Sequence, residues 1–221
     1  MSIRFVLWDN DGVLVDTEEG YYLATRRALA EIGIALELEL YHRLRAEGVT
    51  SWTLAERAGF DSGTIDRQRN LRDGYYQQFI RSRNLEIQGV HDTIASMTAA
   101  YRMAIVTTAK RRDFELIHRE RRIVRHMEFV LTGDDYQPHK PAPDGYLAAL
   151  ARFGASPDEA VVIEDSKQGL DAAHAAGLQC LIVHNRFFGT AHDFAGATRV
   201  LDSVAVVPRV LDELHGGASS D

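Results

Sequence analysis

An apolar run that ends in two carboxylates decides the fold, namely Phe5-Val-Leu-Trp-Asp9-Asn-Asp11-Gly12. Residues 3–8 are mostly apolar, with β-branched and aromatic members, which predicts a buried strand. Residues i and i+2 of a strand lie on the same face. Asp9 and Asp11 are therefore expected to face one cleft at the carboxyl end of this strand.

Two carboxylates that lie this close repel each other. Such a pair persists with a bound cation or with a role in proton transfer. The alternative interpretation is a strand end with two solvated acids, and this stretch alone leaves both open. The other polar residues of the chain decide between them.

The composition is that of an ordinary globular protein. The chain has 221 residues, 45% of them hydrophobic, and a formal net charge of −7. That charge argues against nucleic acid or an anionic membrane as a partner, and no run approaches the ~18 apolar residues of a membrane span. The N-terminus shows no signal peptide, and Cys180, the one cysteine, lies in an apolar run that predicts a buried thiol. A cytoplasmic monomer or homodimer is expected.

Two sequence patterns divide the chain into two predicted domains. Residues 18–84 have helical periodicity with almost no strand pattern, which predicts an inserted helical domain over 16–87. Residues 1–15 and 88–221 alternate strands with helices. This alternation is typical of an α/β fold in which helices cover both faces of a parallel sheet.

The individual elements can be placed coarsely. Strands are predicted over 3–8, 103–106, 129–131, 160–163, 181–183 and 199–201. A helix is predicted over 114–123, and the tail over 216–221 is predicted to be disordered. In the helical domain, the aromatic residues Tyr21, Tyr22 and Trp52 fit either a substrate pocket or the domain core.

Polar residues follow three of the predicted strands. The pairs are Asp9/Asp11, Thr107/Thr108 and Glu164/Asp165. Ligands of an open parallel sheet bind outside the carboxyl ends of its strands, so these pairs and Lys140, from a proline-rich loop, are expected in one cleft. Several carboxylates suit Mg²⁺, and a lysine and a hydroxyl beside the metal suit a phosphoryl group.

Four motifs in order resemble those of the haloacid dehalogenase superfamily. They are Asp9-Asn-Asp11-Gly-Val, Ile105-Val-Thr107-Thr108, Lys140-Pro-Ala-Pro143-Asp and Val162-Ile-Glu164-Asp165-Ser. The resemblance covers nearly the whole chain. Within the superfamily, the chain is similar to the branch that holds phosphoglycolate phosphatases, sugar-phosphate phosphatases and β-phosphoglucomutases. It implies a Rossmann-like catalytic core, over 1–15 plus 88–221, and a helical cap over 16–87.

The resemblance also implies a role for each motif residue. Asp9 is the expected nucleophile, which forms an aspartyl-phosphate, and Asp11 is the expected acid and base. Thr107, Thr108 and Lys140 are expected to bind the phosphoryl group, with Thr107 and Lys140 also counted as catalytic. The expected Mg²⁺ ligands are Asp9, the backbone carbonyl of Asp11, and Asp165. Glu164 is expected either to bind the ion directly or to hold one of these ligands in place.

Two positions depart from the common family pattern. Asn10 replaces an aromatic or apolar residue, and Thr108 stands where asparagine or serine is frequent. By strand alternation, Asn10 is expected to point away from Asp9 and Asp11, so neither change is expected to abolish the chemistry.

Three functions remain open at this point. The leading one is a Mg²⁺-dependent phosphatase acting on a small phosphorylated metabolite, and the second is a sugar-phosphate mutase with the same aspartyl-phosphate. The third is a non-catalytic phosphate-binding protein. The predicted cap loop, residues 47–52, favours the phosphatase, because no Lys or Arg occurs from position 46 through 56 to hold a second phosphate.

Overall fold

The computed structural model describes residues 2–188 and 194–216, with side chains up to residue 214 in the last helix. The chain divides into two compact units. The first contains the described residues of Met1–Asp16, Glu86–Arg186 and Asp193–Asp221, and the second contains those of Thr17–Leu85 and Phe187–His192. Across the described residues, every helix is too short or too polar to cross a membrane.

The second unit is helical. Its helices are α1 (Glu18–Ala30), α2 (Leu38–Ala46), α3 (Thr53–Arg57) and α4 (Ser62–Ser82). The helix α4 begins where the Asp61 carboxylate accepts a hydrogen bond from the Thr64 amide at 2.9 Å. Tyr22 and Trp52 are buried in the core of this unit together with Phe188, which shows that both aromatic side chains pack in the core.

The first unit is built on a parallel sheet of six strands. They are β1 (Phe5–Trp8), β2 (Arg102–Val106), β3 (Phe129–Leu131), β4 (Ala160–Glu164), β5 (Gln179–Val183) and β6 (Arg199–Leu201). Their order in the sheet is β3-β2-β1-β4-β5-β6. This order places β1 between β2 and β4, and it is the order of a Rossmann-like fold. The predicted α/β architecture is confirmed.

Both faces of the sheet are apolar. Val6 and Trp8 of β1 belong to one core cluster, whereas Phe5 and Leu7 belong to the other. Helices cover the two faces: α5 (Val90–Met97), α6 (Arg111–His118), α7 (Asp144–Phe153), α8 (Lys167–Ala175) and α9 (Val207–Gly216). Cys180 of β5 is a fully buried free thiol, and burial raises its pKa well above the usual value.

Both predicted boundaries of one helix are wrong, and most of the predicted disordered tail lies outside the described residues. The helix predicted over 114–123 begins at Arg111 and ends at His118, and a separate 3₁₀ turn, Ile123–His126, follows. Residues 119–122 read Arg-Glu-Arg-Arg, so they offer no apolar side chain that would hold the helix to the core. Gly216, at the start of the predicted disordered tail, belongs to α9, and residues 217–221 lie outside the described residues.

Candidate active site

The carboxyl ends of three neighbouring strands form the candidate site. Trp8 at the end of β1 lies beside Ile105 of β2 and Ile163 of β4, so the polar residues that follow these strands meet. Asp9, Glu164 and Asp165 are buried, and each offers a carboxylate oxygen within 4.8 Å of the others.

Lys140 bridges two of these carboxylates. Its Nζ donates to Asp9 Oδ1 at 2.5 Å, to Glu164 Oε1 at 2.7 Å and to the Val106 carbonyl at 3.0 Å. Three donors and three acceptors match, and the side chain is only 6% exposed. The proline-rich loop thus delivers its lysine to the ends of all three strands.

Glu164 accepts hydrogen bonds at both of its carboxylate oxygens. Oε1 accepts from Lys140 and from the Tyr146 hydroxyl at 3.0 Å, while Oε2 accepts from the Asp165 amide and from the Ser166 amide and hydroxyl. Gly169 makes room for this carboxylate, because a Cβ there would lie 1.8 Å from Oε1. These five hydrogen bonds occupy the lone pairs of Glu164.

The buried charges are unevenly compensated. Burial and the nearby Glu164 carboxylate raise the pKa of Asp9 well above its usual value, even against Lys140. Burial opposes ionisation of Glu164 as well, but Lys140 and its other donors outweigh burial and lower the pKa of Glu164. Burial likewise opposes the charge of Lys140, yet Asp9 and Glu164 together raise its pKa. One lysine therefore offers a single positive charge to two buried carboxylates, Asp9 and Glu164.

Asp11 lies beside two hydrogen-bond donors. The Thr107 hydroxyl is 3.3 Å from Asp11 Oδ2, and the Asn10 amide nitrogen is 3.2 Å from the same oxygen. The expectation that Asn10 points away from Asp11 is wrong. The strand ends at Trp8, so alternation no longer applies at Asn10, where the chain turns and its carbonyl accepts from Leu14 and Val15.

Asp165 has a partner that was not among the predicted site residues. Asn185, just beyond the end of β5, donates from Nδ2 to Asp165 Oδ2 at 2.7 Å. Gly12, with a φ of 81°, packs against this pair, and a Cβ there would lie 1.8 Å from the Asp165 oxygen. A bulkier residue at position 12 would displace the carboxylate.

Thr107 and Thr108 differ in their surroundings. Thr107 is buried, and its hydroxyl also accepts from the Ala109 amide at 3.0 Å. Thr108 is exposed, and its backbone carbonyl lies against Gly133, where a Cβ would approach to 2.6 Å. The buried hydroxyl of Thr107 therefore has a fixed direction.

Comparisons with known proteins identify the family of this chain. The sequence model described as "Haloacid dehalogenase-like hydrolase" matches residues 6–183. The chain belongs to the haloacid dehalogenase-like hydrolase family. All residues of the site described above, except Asn185, lie inside the matched segment.

Several similar proteins align with this chain over most of its length. Protein CbbY of Cereibacter sphaeroides is 31% identical, over 92% of this chain and 93% of its own length. The phosphorylated carbohydrates phosphatase of Thermotoga maritima is 28% identical, over 91% of each chain. A crystal structure of mutant CbbY from Rhodobacter sphaeroides, in complex with xylulose-(1,5)bisphosphate, is 28% identical with a TM-score of 0.78, over 92% and 95% of the two chains.

Removal of the Lys140 ammonium group, which bridges two carboxylates of this hydrolase, is expected to destabilise the fold. In Lys140→Met, two buried carboxylates lose their shared partner, and a broken buried ion pair costs about 3–5 kcal/mol of unfolding free energy. Chemical denaturation in metal-free buffer measures this loss. The matched control is Lys167→Met, which removes a partly exposed pair with Asp171 and is expected to cost under about 1 kcal/mol. Equal losses in the two variants would contradict the account of Lys140.

Proposed function

We propose that this chain is a phosphatase that hydrolyses a small phosphorylated metabolite through a phosphoryl group carried on Asp9. Sugar phosphates are the leading candidate substrates. The observation that supports this most strongly is the grouping of Asp9, Asp11, Thr107 and Lys140 around one strand end. The named activity of the Thermotoga maritima relative, which acts on phosphorylated carbohydrates, points to the same substrate class.

The proposed reaction has two displacements at phosphorus. In the first, an oxygen of Asp9 attacks phosphorus, the bond to the ester oxygen breaks, and Asp11 gives its proton to the departing alcohol. In the second, Asp11 takes a proton from water as the water attacks the aspartyl-phosphate, which releases inorganic phosphate and restores Asp9. Lys140 holds Asp9 Oδ1, so Oδ2 is the attacking oxygen in this proposal.

Thr107 and Lys140 also have the chemistry to bind the phosphoryl oxygens. A hydroxyl and an ammonium group that are already fixed in place stabilise developing charge without having to reorganise. Thr107 is held by the Ala109 amide and Lys140 by the Val106 carbonyl. Thr108, exposed beside them, is proposed as a further substrate contact.

The carboxylates fit a bound Mg²⁺. Carboxylate oxygens of Asp9, Asp165 and Glu164 lie within 4.8 Å of one another, with the one lysine beside them shared between Asp9 and Glu164. Asp9, Asp165 and the Asp11 carbonyl are proposed to hold the ion, which would neutralise charge on the phosphoryl group. Glu164, with its lone pairs occupied, is proposed to orient Lys140 and the turn at Asp165 instead of binding the ion directly.

A phosphate-release screen tests the proposed function. The panel contains phosphoglycolate, glycerol 3-phosphate, hexose monophosphates and xylulose 1,5-bisphosphate, each with Mg²⁺. We expect net release of phosphate from at least one of them with Michaelis–Menten saturation. Binding of these compounds without release would favour the non-catalytic protein, and neither binding nor release would contradict both.

The unit that contains the predicted cap loop bears on the mutase alternative. Glu47 is exposed and Ser51 is buried, and from 46 through 56 the sequence has no basic residue. Of the neighbouring arginines, Arg45 pairs with Glu18 at 3.4 Å. A second phosphate bound by this loop would therefore lack charge-assisted hydrogen bonds worth roughly 1.5–3 kcal/mol each.

We therefore expect negligible isomerisation of β-glucose 1-phosphate. A mutase must hold the second phosphate and keep water away from its aspartyl-phosphate, and the loop offers no cation for this. Incubation with β-glucose 1-phosphate, Mg²⁺ and a trace of the 1,6-bisphosphate, followed by assays for glucose 6-phosphate and free phosphate, measures both outcomes. Isomerisation faster than phosphate release would establish the mutase function instead.

A further inference from the structure

Asn10 and His118 form a buried polar pair next to Asp11. Asn10 is fully buried, and His118, the last residue of α6, is 7% exposed. His118 Nε2 lies 2.7 Å from Asn10 Oδ1, and Asn10 Nδ2 lies 3.2 Å from Asp11 Oδ2. A chain of two hydrogen bonds thus runs from α6 to Asp11.

The chemistry of the three groups fixes their orientations. Asn10 Nδ2 donates to Asp11 Oδ2, and this leaves the Asn10 carbonyl oxygen, which can only accept, facing His118. His118 therefore donates through Nε2–H. Burial and the nearby Arg121 charge lower the pKa of His118 to about 3, so the ring is neutral and Nδ1 carries only a lone pair. Nδ1 is buried without a hydrogen-bond partner among the described residues, as suits that tautomer.

The imidazole is itself held in place by packing. The Phe114 ring lies one turn earlier on α6, with its centroid 4.4 Å from that of His118. The ring cannot swing away without disturbing a buried aromatic contact. His118 is thus a fixed donor, and the Asn10 amide cannot flip without losing both of its hydrogen bonds.

We propose that Asn10 and His118 are positioning residues that set the orientation of the Asp11 carboxyl group. This inference rests on the proposed function, in which Asp11 transfers protons. Asn10 and Thr107 both donate to Oδ2, so two hydrogen bonds to one oxygen orient the carboxyl group. Both residues of the pair are buried and connect to Asp11 by one chain of hydrogen bonds, so they act through Asp11.

Three variants separate positioning from mere stability. Asn10→Leu removes both hydrogen bonds, and His118→Phe keeps the ring stacking but removes the donor to Asn10. Each single variant leaves a buried polar group without its partner, whereas the double variant replaces both partners by apolar groups. The melting temperature is therefore expected to fall in each single variant and to recover in the double variant.

The kinetic readout is the dependence of kcat/KM on the leaving group. This ratio reports the first displacement, in which Asp11 acts as the acid. Phenyl phosphate has a basic leaving group that needs the proton, and 4-nitrophenyl phosphate needs it much less. Misplacing the acid is expected to lower kcat/KM about 10–100-fold for phenyl phosphate and under about threefold for 4-nitrophenyl phosphate.

The double variant decides the question, because it is expected to regain stability and keep the selective defect. Equal losses on both substrates, or full activity in the stable double variant, would overturn the positioning role. Thr98→Val, which loses a hydroxyl contact with His126, is the control and is expected to match wild type on both substrates. A wild-type protein that releases phosphate from none of these substrates or the metabolite panel would overturn the proposed function itself.

Discussion

Asp9→Asn is expected to lower phosphatase turnover by at least about 10⁴-fold, because an amide is not a nucleophile toward phosphorus. The substitution is nearly isosteric, and the amide oxygen can still accept from Lys140, so the site keeps its shape. Steady-state phosphate release, measured with the best substrate of the metabolite panel, gives the loss. Activity within tenfold of wild type, with contaminating phosphatase excluded, would contradict the role of Asp9.

The fold of this variant is expected to survive. Burial raises the pKa of Asp9 in the folded chain, so the folded state binds its proton more tightly than the unfolded state does, and ionisation at neutral pH lowers stability. A neutral amide removes that cost. The unfolding free energy in metal-free buffer is therefore expected to equal or exceed that of wild type, which separates loss of chemistry from loss of fold.

Removal of divalent metal is expected to lower turnover by at least about a hundredfold, and Mg²⁺ is expected to restore it. Without a cation, Asp9 and Asp165 repel each other and the phosphate of the substrate. Ca²⁺ is expected to inhibit, because its longer bonds and larger coordination number misplace the attacking oxygen. Phosphate release is followed in EDTA and then during titration with each ion.

A matched pair of variants locates the metal. Asp165→Asn is expected to raise the Mg²⁺ concentration for half-maximal activity by about 10–100-fold. Asp158→Asn, at an exposed position, is expected to leave it unchanged. Full turnover in chelator, or the same Mg²⁺ requirement in both variants, would contradict the metal site.

The central part of the site was readable from the sequence. Apolar strand patterns end at Asp9, at Thr107 and at Glu164, and parallel strands place their carboxyl ends together. Lys140 was expected in the same cleft because its proline-rich loop lies between the second and third of these strand ends in the sequence, and the family motif implies the same position. The structure places its Nζ on Asp9 and Glu164.

The supporting hydrogen bonds were not readable in this way. Tyr146 reaches Glu164 from the first turns of α7, and Asn185 reaches Asp165 from beyond β5. Tyr146 reads as an ordinary apolar helix residue. Asn185 did carry a signal, since it follows a buried strand as the other site residues do.

The predicted direction of the Asn10 side chain was wrong because the strand ends before this residue. Alternation holds only for extended residues, and β1 ends at Trp8, one residue before Asp9. His118 lay inside a helix predicted to run past it, so nothing marked it as a terminal residue near the site. Long-range contacts between a turn and a helix end have no local period in the sequence.

The most direct test of the account is to look for the phosphoryl group on Asp9. The protein is mixed with its best substrate and Mg²⁺, quenched in acid during turnover, and reduced with borohydride, which converts an aspartyl-phosphate to homoserine. Peptide mass spectrometry is expected to find homoserine at position 9 in wild type and none in Asp9→Asn. Turnover with no modification at position 9, or with the phosphoryl group on another residue, would contradict the proposed mechanism.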